Sequence, residues 1–316
     1  MKRRIIVGMA LPVLLAGSLL TGAAPAAASG GAVGGSGSRY FLNDSWSGSA
    51  NYSLNYGRAT DAVYVGDWNA DGRDTLTVRR GNSYYFSNSL RGGSTSTKVN
   101  YGRSSDTVIM GDWNGDGVDT FAVRRGDKYL ITNSLRSGTA EATVAYGKAG
   151  DTVVVGDWDG DGRDSLGLRR GDKLFLKNTI RSGNADVTLS FGRSSDRVYI
   201  GDWNGDGKDT AAVRRGATYH LSNSFRGGAA DRALTYGRSS DATLVGDWNG
   251  DRTDTLGIRR PDPKPAQPTR PSRDLDCTDF ATQAQAQAEF RRWYPTLGDV
   301  HQLDQDGDGA ACETLP

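Results

Sequence analysis

The chain has 316 residues, of which 38 are Lys or Arg and 37 are Asp or Glu, so its formal charge is close to zero. A balance of this kind gives no electrostatic footprint for nucleic acid, and we expect no nucleic-acid partner. A hydrophobic content of 36% with 43 glycines is typical of short strands joined by turns and does not favour a helical globule.

The chain begins with a predicted signal peptide over residues 1–28. Basic residues at positions 2–4 precede an apolar run, and small residues at Ala26 and Ala28 suit a signal peptidase. No later run of 18 apolar residues follows, so we predict no membrane span and an exported protein, secreted or associated with the cell wall. Residues 29–39 are rich in glycine and serine and are predicted to be a flexible spacer.

The segment 40–260 repeats with a period of 45 residues. One asparagine recurs at this spacing, at Asn43, Asn88, Asn133, Asn178 and Asn223. Each unit holds four short runs of β-branched and aromatic residues separated by turn residues, which is the composition of a propeller blade. The sequence therefore predicts an all-β fold, a β-propeller of five blades with about 45 residues each.

Each end of the repeat array is half a unit. The chain enters at Tyr40 with the last two strands of a unit and leaves at Arg260 with the first two. If these halves pair in one sheet, the ring closes and no sheet edge is left open at the join. The alternative is an open stack of hairpins, which would leave unpaired edges and would not explain the half units.

An acidic turn, GDWNGDG at 111–117 and 201–207, recurs in every unit. Oxygen-bearing side chains at alternate positions followed by glycine suit a Ca²⁺ loop, because alternate residues of a tight loop point at one centre. The predicted ligands in the first four turns are Asp67, Asn69, Asp71, Asp112, Asn114, Asp116, Asp157, Asp159, Asp161, Asp202, Asn204 and Asp206. The alternative is a set of metal-free hairpins, since Asp, Asn and Gly are also common turn residues.

With this motif, its flanking strands and its period, residues 40–260 resemble the FG-GAP/VCBS type of β-propeller repeat. The resemblance implies a calcium ion in the loop joining the first two strands of each blade, and a role in adhesion or ligand binding. The family often has aspartate at the ninth loop position, and here aspartates at the eighth position are the candidate fourth ligands: Asp74, Asp119, Asp164 and Asp209. Because Arg252 replaces the glycine of the fifth loop, we expect Asp247, Asn249 and Asp251 to bind calcium poorly or not at all.

Two further residue types recur with the repeat. One is a tryptophan inside each turn: Trp68, Trp113, Trp158, Trp203 and Trp248. We expect these rings to pack between blades, and stacking on sugars is the alternative. The other is an arginine pair after the second strand, such as Arg124 with Arg125, which we expect to neutralise nearby aspartates at a solvated edge. Binding of an anionic wall polymer is the alternative for the arginines.

A proline-rich linker is predicted over residues 261–273, and a small separate domain over 274–316. Helical spacing within DFATQAQAQAEFRRWY, with Phe280, Ala284 and Ala288 on one face, predicts a helix. The only two cysteines, Cys277 and Cys312, are predicted to form a disulfide, because an exported chain meets oxidising conditions.

The C-terminal sequence LDQDGDGAACETLP repeats the oxygen-ligand pattern, with Asp304, Asp306 and Asp308 before Gly309 and with Glu313 beyond it. Together with CTDFATQAQAQAEF, it resembles the Excalibur domain, an extracellular calcium-binding module. This resemblance covers residues 274–316 and implies a second kind of calcium site at the end of the chain.

The motifs of common hydrolases do not occur in the sequence. There is no GxSxG elbow and no HExxH, and the only histidines are His220 and His301, so we predict a non-catalytic protein. The predicted function is calcium-dependent adhesion or ligand binding outside the cell, with a glycan, a cell-wall polymer or a protein as partner, and we expect a monomer. The alternatives are a secreted polysaccharide hydrolase, which would need a carboxylate pair that breaks the repeat, and a passive envelope scaffold.

Overall fold

The computed structural model describes residues 30–93, 95–226, 229–263 and 271–316. The predicted signal peptide and most of the predicted linker lie outside these residues. The chain divides into two compact units, with the boundary between Asp262 and Pro263. Within the described ranges, no helix is both long enough and apolar enough to cross a membrane.

The first unit is a β-propeller with five four-stranded antiparallel blades, as the repeat predicts. Blade 1 contains β3 (Ala62–Gly66), β4 (Thr75–Arg80), β5 (Ser83–Phe86) and β6 (Thr97–Asn100). Blade 2 contains β7 (Thr107–Gly111), β8 (Thr120–Arg125), β9 (Lys128–Ile131) and β10 (Ala142–Ala145). Blade 3 contains β11 (Thr152–Gly156), β12 (Ser165–Arg170), β13 (Lys173–Leu176) and β14 (Val187–Ser190). Blade 4 contains β15 (Arg197–Gly201), β16 (Thr210–Arg215), β17 (Thr218–Leu221) and β18 (Arg232–Thr235).

Blade 5 combines both ends of the repeat array. It contains β19 (Ala242–Gly246) and β20 (Thr255–Arg260), followed in the sheet by β1 (Arg39–Leu42) and β2 (Tyr52–Asn55). Strand β20 pairs with β1 in antiparallel register, with Arg260 opposite Arg39 and Gly257 opposite Leu42. The predicted pairing of the two half units is therefore confirmed, and it closes the ring.

The hydrophobic core lies between neighbouring blades. In the cluster between blades 1 and 2, Trp68 packs with Phe86 and Tyr101 from its own blade and with Phe121 from the next. The rings of Trp68 and Phe86 meet edge to face with their centroids 5.1 Å apart, a favourable geometry for aromatic pairs. The loop tryptophans of the other four blades are buried in the same way, so the prediction of packing between blades is confirmed.

The innermost strands β3, β7, β11, β15 and β19 each contact the two neighbouring innermost strands, and together they surround the axis of the propeller. The segment before β1 also belongs to this region. The amide of Val33 donates to the carbonyl of Val63 (2.7 Å), and the Val33 side chain is buried. The prediction of a flexible spacer is therefore wrong for residues 30–38, because their glycines permit close packing against the propeller. At Gly37, for example, a Cβ would lie 2.0 Å from the carbonyl oxygen of Arg260.

The second unit contains a short 3-10 turn (Cys277–Asp279) and one helix, α1 (Gln283–Leu297). The Thr282 side chain caps the helix N-terminus, and Gly298 ends the helix at a positive φ. The predicted helix is confirmed. Ala284 and Ala288 are exposed.

The buried face of α1 consists of Ala286, Gln287 and Phe290. Phe290 packs with Leu303 and Cys312 in the core of this small unit. The predicted disulfide between Cys277 and Cys312 is present, with the two Cα atoms 5.5 Å apart.

Candidate metal centre

The acidic loop of each blade joins its first two strands and is organised around its first aspartate. In blade 3, the amides of Gly160 and Gly162 donate to the two carboxylate oxygens of Asp157, both at 2.7 Å. The carboxylates of Asp157, Asp159 and Asp161 each offer an oxygen within 4.8 Å of the others. Three converging carboxylates with no nitrogen or sulfur donor suit a hard cation such as Ca²⁺.

The other loops repeat this geometry with asparagine as the second candidate ligand. In blade 2, Gly117 donates to Asp112 at 2.8 Å, and the Asn114 amide nitrogen donates to Asp116 at 2.9 Å. A 180° flip of the Asn114 side-chain amide would present its oxygen to a cation in place of its nitrogen. The corresponding candidate sets, Asp67 with Asn69 and Asp71 and Asp202 with Asn204 and Asp206, have the same internal hydrogen bonds.

The fifth loop keeps the shape of the other four although it lacks their glycine. Arg252 adopts a left-handed backbone with φ 68°, and its amide donates to Asp247 at 2.7 Å. The Asn249 amide nitrogen donates to Asp251 at 2.9 Å, as in the other loops that carry asparagine. Three candidate donors are therefore held in place here too, at the expense of a backbone conformation that disfavours side chains.

The eighth-position aspartates do not join the carboxylates of their own loops. Asp119 of blade 2 instead accepts a hydrogen bond from the Asp67 amide of blade 1 at 2.8 Å, and its own amide donates to the Asp67 carbonyl at 2.8 Å. The same two-bond clamp links Asp164 to Asp112, Asp209 to Asp157, Asp254 to Asp202 and Asp74 to Asp247. These aspartates latch each blade to the loop of its neighbour, and the pair of Asp74 with Asp247 carries the latch across the ring closure.

The five latch aspartates also surround a central cavity of about 150 Å³. Burial is the main reason why the pKa of every one of them lies above the ordinary range, and in Asp164 and Asp254 it reaches about 7. The charge of Asp164 adds to this effect at Asp119, and the charge of Asp254 does so at Asp74 and Asp209. Among the described residues, no Lys, Arg or His lines the cavity.

The glycine that precedes each loop makes room for a latch aspartate. A Cβ on Gly156 would lie 2.7 Å from a carboxylate oxygen of Asp209, which is too close for any side chain. Gly66, Gly111, Gly201 and Gly246 stand in the same relation to the other latches. In the sequence, a glycine recurs directly before each acidic turn and an aspartate recurs after it, and these two repeats are the signal for the aspartate ring. We did not identify this ring from the sequence, and we did not select the fifth member, Asp254.

The arginine pairs have two structural roles. The second arginine pairs with an aspartate in its own blade, as Arg125 does with the nearly buried Asp106 at 2.7 Å. Hydrogen bonds from Arg125 lower the pKa of Asp106 to about 2. The first arginine reaches the next blade, where Arg124 donates to the carbonyls of Asp151 and Lys148. The contact of the first arginine with the next blade explains why each blade has two arginines. The predicted role, neutralisation of aspartates at a solvated edge, does not explain the pair.

The C-terminal loop has the internal bonding of a propeller loop. The amides of Gly307 and Gly309 donate to the two carboxylate oxygens of Asp304, each at 2.9 Å. The carboxylates of Asp304, Asp306 and Asp308 lie within 4.8 Å of one another. The charges of Asp308 and then Asp306 raise the pKa of Glu313, the fourth predicted ligand.

Two residues that our sequence analysis did not select position this loop. Asp299 accepts from the amides of Leu303 and Asp304, at 3.0 and 2.9 Å. Gln287 of α1 accepts from the Ala311 amide at 2.8 Å and donates to the Gly309 carbonyl at 3.0 Å. The buried amide of Gln287 therefore joins the helix to the loop, and neither residue carries a motif that would have identified it.

Comparison with known families assigns this unit. Residues 274–313 match the family profile of the Excalibur calcium-binding domain. No curated protein matches the chain in sequence. Residues 274–313, which include the disulfide and the helix, therefore form an Excalibur calcium-binding domain, and Ca²⁺ is the cofactor of this chain.

Proposed function

We propose that this protein is exported and non-catalytic, and that it binds an extracellular glycan through an FG-GAP/VCBS-type propeller whose loops hold calcium. Cell-wall polymers belong to this ligand class, and a protein partner is the second candidate. We expect it to act as a monomer. The observation that carries the proposal is the repetition of one oxygen-donor loop, with the same internal hydrogen bonds, on all five blades of a closed ring.

The structural uses of the propeller acids support a non-catalytic role. The acids fall into repeated groups: loop donors such as Asp112, latches such as Asp119 and arginine partners such as Asp106. A glycosidase needs two carboxylates that work as acid and as base or nucleophile at one substrate position. Repetition gives each of these groups a structural use in every blade. The Excalibur domain and the disulfide support an extracellular location.

Two grooves between blades support a glycan as the ligand. One lies between blades 2 and 3, has a volume of about 510 Å³ and includes Tyr146, Arg170 and Phe175 in its lining. The other lies between blades 3 and 4, has a volume of about 320 Å³ and includes Phe191 and His220. The second groove repeats the first at the 45-residue spacing of the blades.

Both grooves offer the chemistry that sugars require. In the groove between blades 2 and 3, the Arg170 guanidinium lies 5.0 Å from the ring centroid of the half-buried Phe175. In the groove between blades 3 and 4, Phe191, Arg215 and Arg226 line the wall with Ser222. Apolar ring faces can pack against the C–H face of a sugar, while guanidinium and hydroxyl groups can hydrogen-bond to its hydroxyls.

The test is retention of the exported protein on insoluble wall and plant polysaccharides, in millimolar calcium and in a chelator. We expect retention on at least one polysaccharide in calcium and its loss in the chelator. A double variant, His220→Ala with Arg226→Gln, should reduce retention, while Arg197→Gln, an exposed arginine outside both grooves, should not.

Two results would contradict the proposal. Lack of retention on every glycan in calcium would leave a protein partner or a scaffold as the function. Equal retention by wild type and the groove variant would show that the grooves are not the binding surface. Near-ultraviolet circular dichroism of each variant should match the wild type, so that a loss of retention reports binding and not misfolding.

A further inference from the structure

The groove between blades 3 and 4 differs in charge from its counterpart between blades 2 and 3. Arg215, His220 and Arg226 line the first groove, and none of the described residues that line it is acidic. The counterpart has Asp127 in its lining together with basic residues. A groove lined by basic and neutral groups alone attracts an anion, because its own charges have one sign.

An aromatic exchange in the repeat also sets this groove apart. A tyrosine directly follows the last strand of blades 1, 2, 4 and 5, whereas Phe191 follows the last strand of blade 3. Three of these tyrosines donate from their hydroxyl to a carbonyl of the next blade: Tyr56 to Tyr85, Tyr146 to Phe175 and Tyr236 to Phe41. Phe191 has no hydroxyl, so the corresponding carbonyl of His220 receives no phenol hydrogen bond. The groove therefore has an apolar ring where three other blade boundaries have a polar contact.

His220 is a second departure from the repeat at the same boundary. The third residue of the third strand is apolar or aromatic in the other four blades, where it is Phe41, Tyr85, Leu130 or Phe175. The His220 ring is half-buried, and it makes no hydrogen bond to another described residue. An imidazole can donate or accept through its two nitrogens. This position therefore offers a ligand polar contacts that the other blades do not offer.

Two arginines bring positive charge to the groove. Arg226 is exposed and has no ion pair with a described residue. Arg215 donates to Asp196 through Nε at 3.1 Å and through Nη2 at 2.7 Å, and its Nη1 has no partner among the described residues. Guanidinium groups bind carboxylates and phosphates through parallel hydrogen bonds. Donors suited to an anion are therefore present on both arginines.

The loop arginine alone does not distinguish this groove. Arg91, Arg136 and Arg181 occupy the position of Arg226 in the loops of blades 1 to 3. An exposed arginine is often only a solvated surface charge. The combination of Arg226 with the two departures from the repeat occurs at one boundary, and it is this combination that indicates a specific site.

We propose that the groove between blades 3 and 4 binds an acidic unit of a glycan. The carboxylate or phosphate of this unit contacts Arg215, His220 and Arg226, and its C–H face packs against the ring of Phe191. This inference rests on the glycan binding proposed above, and it names the class of glycan.

The test is calorimetric titration of the exported protein with short soluble oligosaccharides in millimolar calcium. Short chains avoid the cross-linking of acidic polymers by calcium. One matched pair is a galacturonate trisaccharide and its methyl ester, and the other is maltotriose with and without a phosphate group. We expect the acidic member of at least one pair to bind about 10-fold more tightly than its neutral partner, because hydrogen bonds to charged groups are the stronger ones. The pair that shows the difference identifies carboxylate or phosphate as the bound group.

Variants assign the charge preference to this groove. Arg226→Gln should weaken binding of the acidic oligosaccharide by about 10-fold and leave binding of its neutral partner unchanged. Arg226→Lys keeps the charge without the planar fork, so its effect should be smaller. The matched control is Arg136→Gln, which removes an exposed arginine from the same loop position of blade 2, outside both grooves, and should bind like the wild type.

A variant of the ring separates the apolar contact from the charge. Phe191→Leu removes the ring face but keeps an apolar side chain, and it should weaken binding of the acidic and the neutral oligosaccharide to a similar degree. Near-ultraviolet circular dichroism and thermal unfolding of each variant show whether the propeller has kept its fold. Arg226→Gln changes an exposed side chain, so it serves if Phe191→Leu does not fold.

Three results would overturn the inference. Equal affinity for the two members of both pairs would show that the protein does not select acidic sugars. Equal losses in Arg226→Gln and Arg136→Gln would assign the effect to the overall surface charge. Unchanged binding in Arg226→Gln would place the acidic sugar elsewhere, for example on calcium in the acidic loops.

The outcome for neutral glycans distinguishes this inference from the proposed function. If the protein is retained on a neutral polysaccharide but binds no acidic oligosaccharide, only the inference about the acidic unit fails. If it binds no glycan of either kind, the proposed function fails with it.

Discussion

The propeller loops and the C-terminal loop use the same local chemistry in two different settings. In both, the first aspartate accepts the amide of the sixth loop residue, as Asp112 does from Gly117 and Asp304 does from Gly309. In both, an aspartate outside the loop accepts the amide of the first loop residue, as Asp119 does from Asp67 and Asp299 does from Asp304. An acidic loop of this kind is therefore accompanied by a latch in both folds.

The difference lies in where the latch and its support come from. In the propeller the latch belongs to the next blade, so each loop is held by a neighbouring blade that is itself packed in the hydrophobic clusters between blades. In the Excalibur domain, Asp299 lies five residues from the loop, and the support is one helix and one disulfide. Small domains commonly need such additions because their cores are small. We infer that the small domain depends more strongly on each of its parts.

Removal of the disulfide should have the largest effect. In the double variant Cys277→Ser with Cys312→Ser, a loop closed over a sequence separation of 35 residues is lost, which corresponds to about 4 kcal/mol. We expect the helix and calcium binding of the Excalibur domain to be lost while the propeller still unfolds at its original temperature. Calorimetry in calcium would measure both units in one sample.

A reductant provides an independent control for this prediction. The chain has only these two cysteines, so reduction of the wild type must reproduce the effect of the double variant. A fall in the unfolding temperature of the propeller under either treatment would contradict this prediction.

Removal of a latch should have the next largest effect. Asp119→Ala leaves the Asp67 amide without its acceptor, and Asp119→Asn keeps an acceptor while removing the charge. We expect the alanine variant to be less stable than the asparagine variant by about 1 kcal/mol, the lower end of the cost of an unpaired buried amide, because this hydrogen bond is partly buried. Denaturant unfolding of both variants would measure this difference.

The equivalent pair in the small domain sharpens the comparison. Asp299→Ala should be less stable than Asp299→Asn, because Asp299 accepts from two amides. We also expect a clear loss of calcium affinity in the Excalibur domain, whereas Asp119→Ala should affect one propeller loop out of five. Loss of calcium from more than one propeller loop in Asp119→Ala would contradict the expectation that each latch supports one loop.

The parts that repeat could be predicted from the sequence, and the parts that depend on neighbours could not. The 45-residue period and the half units at Tyr40 and Arg260 were sufficient for five blades and their closure. The role of Asp119 could not be predicted, because its partner Asp67 lies 52 residues away in another blade. Proximity along the chain had suggested its own loop as the partner.

The small domain shows the same limit in a helix. Alanine and glutamine alternate through QAQAQA, so spacing alone does not determine which face is buried. The structure buries Gln287 because its amide satisfies a backbone donor and an acceptor of the calcium loop. A polar residue on the core face follows from the loop that packs against it, and a hydrophobicity pattern does not contain that information.

Acid should weaken the propeller through its arginine–aspartate pairs. Since the folded pKa of Asp106 is about 2, below the ordinary value of 3.8, the pair stabilises the fold above about pH 4 and this stabilisation is lost as pH falls towards 2. The difference in stability between the wild type and Arg125→Gln should therefore be constant above pH 4 and should shrink below it. The measurement is denaturant unfolding as a function of pH, with Arg197→Gln as the control. A difference that grows on acidification would contradict the assignment.

The smallest effect concerns the fifth loop, where sequence and structure point in different directions. The sequence predicts a weak site because Arg252 replaces glycine, but the structure shows the same loop shape, with Arg252 at φ 68°. A left-handed residue with a side chain costs about 1 kcal/mol, so Arg252→Gly should stabilise the propeller by about that amount. Ala70→Gly in the first loop, where φ is 57°, should act in the same direction.

Calcium titration then distinguishes the weak site that the sequence predicts from the formed loop that the structure shows. If Arg252→Gly gains stability without gaining a bound ion, the wild-type loop already holds its three donors and the arginine affects only the backbone. If it gains an ion, the sequence was right about the site, and the shared loop shape is not sufficient for binding.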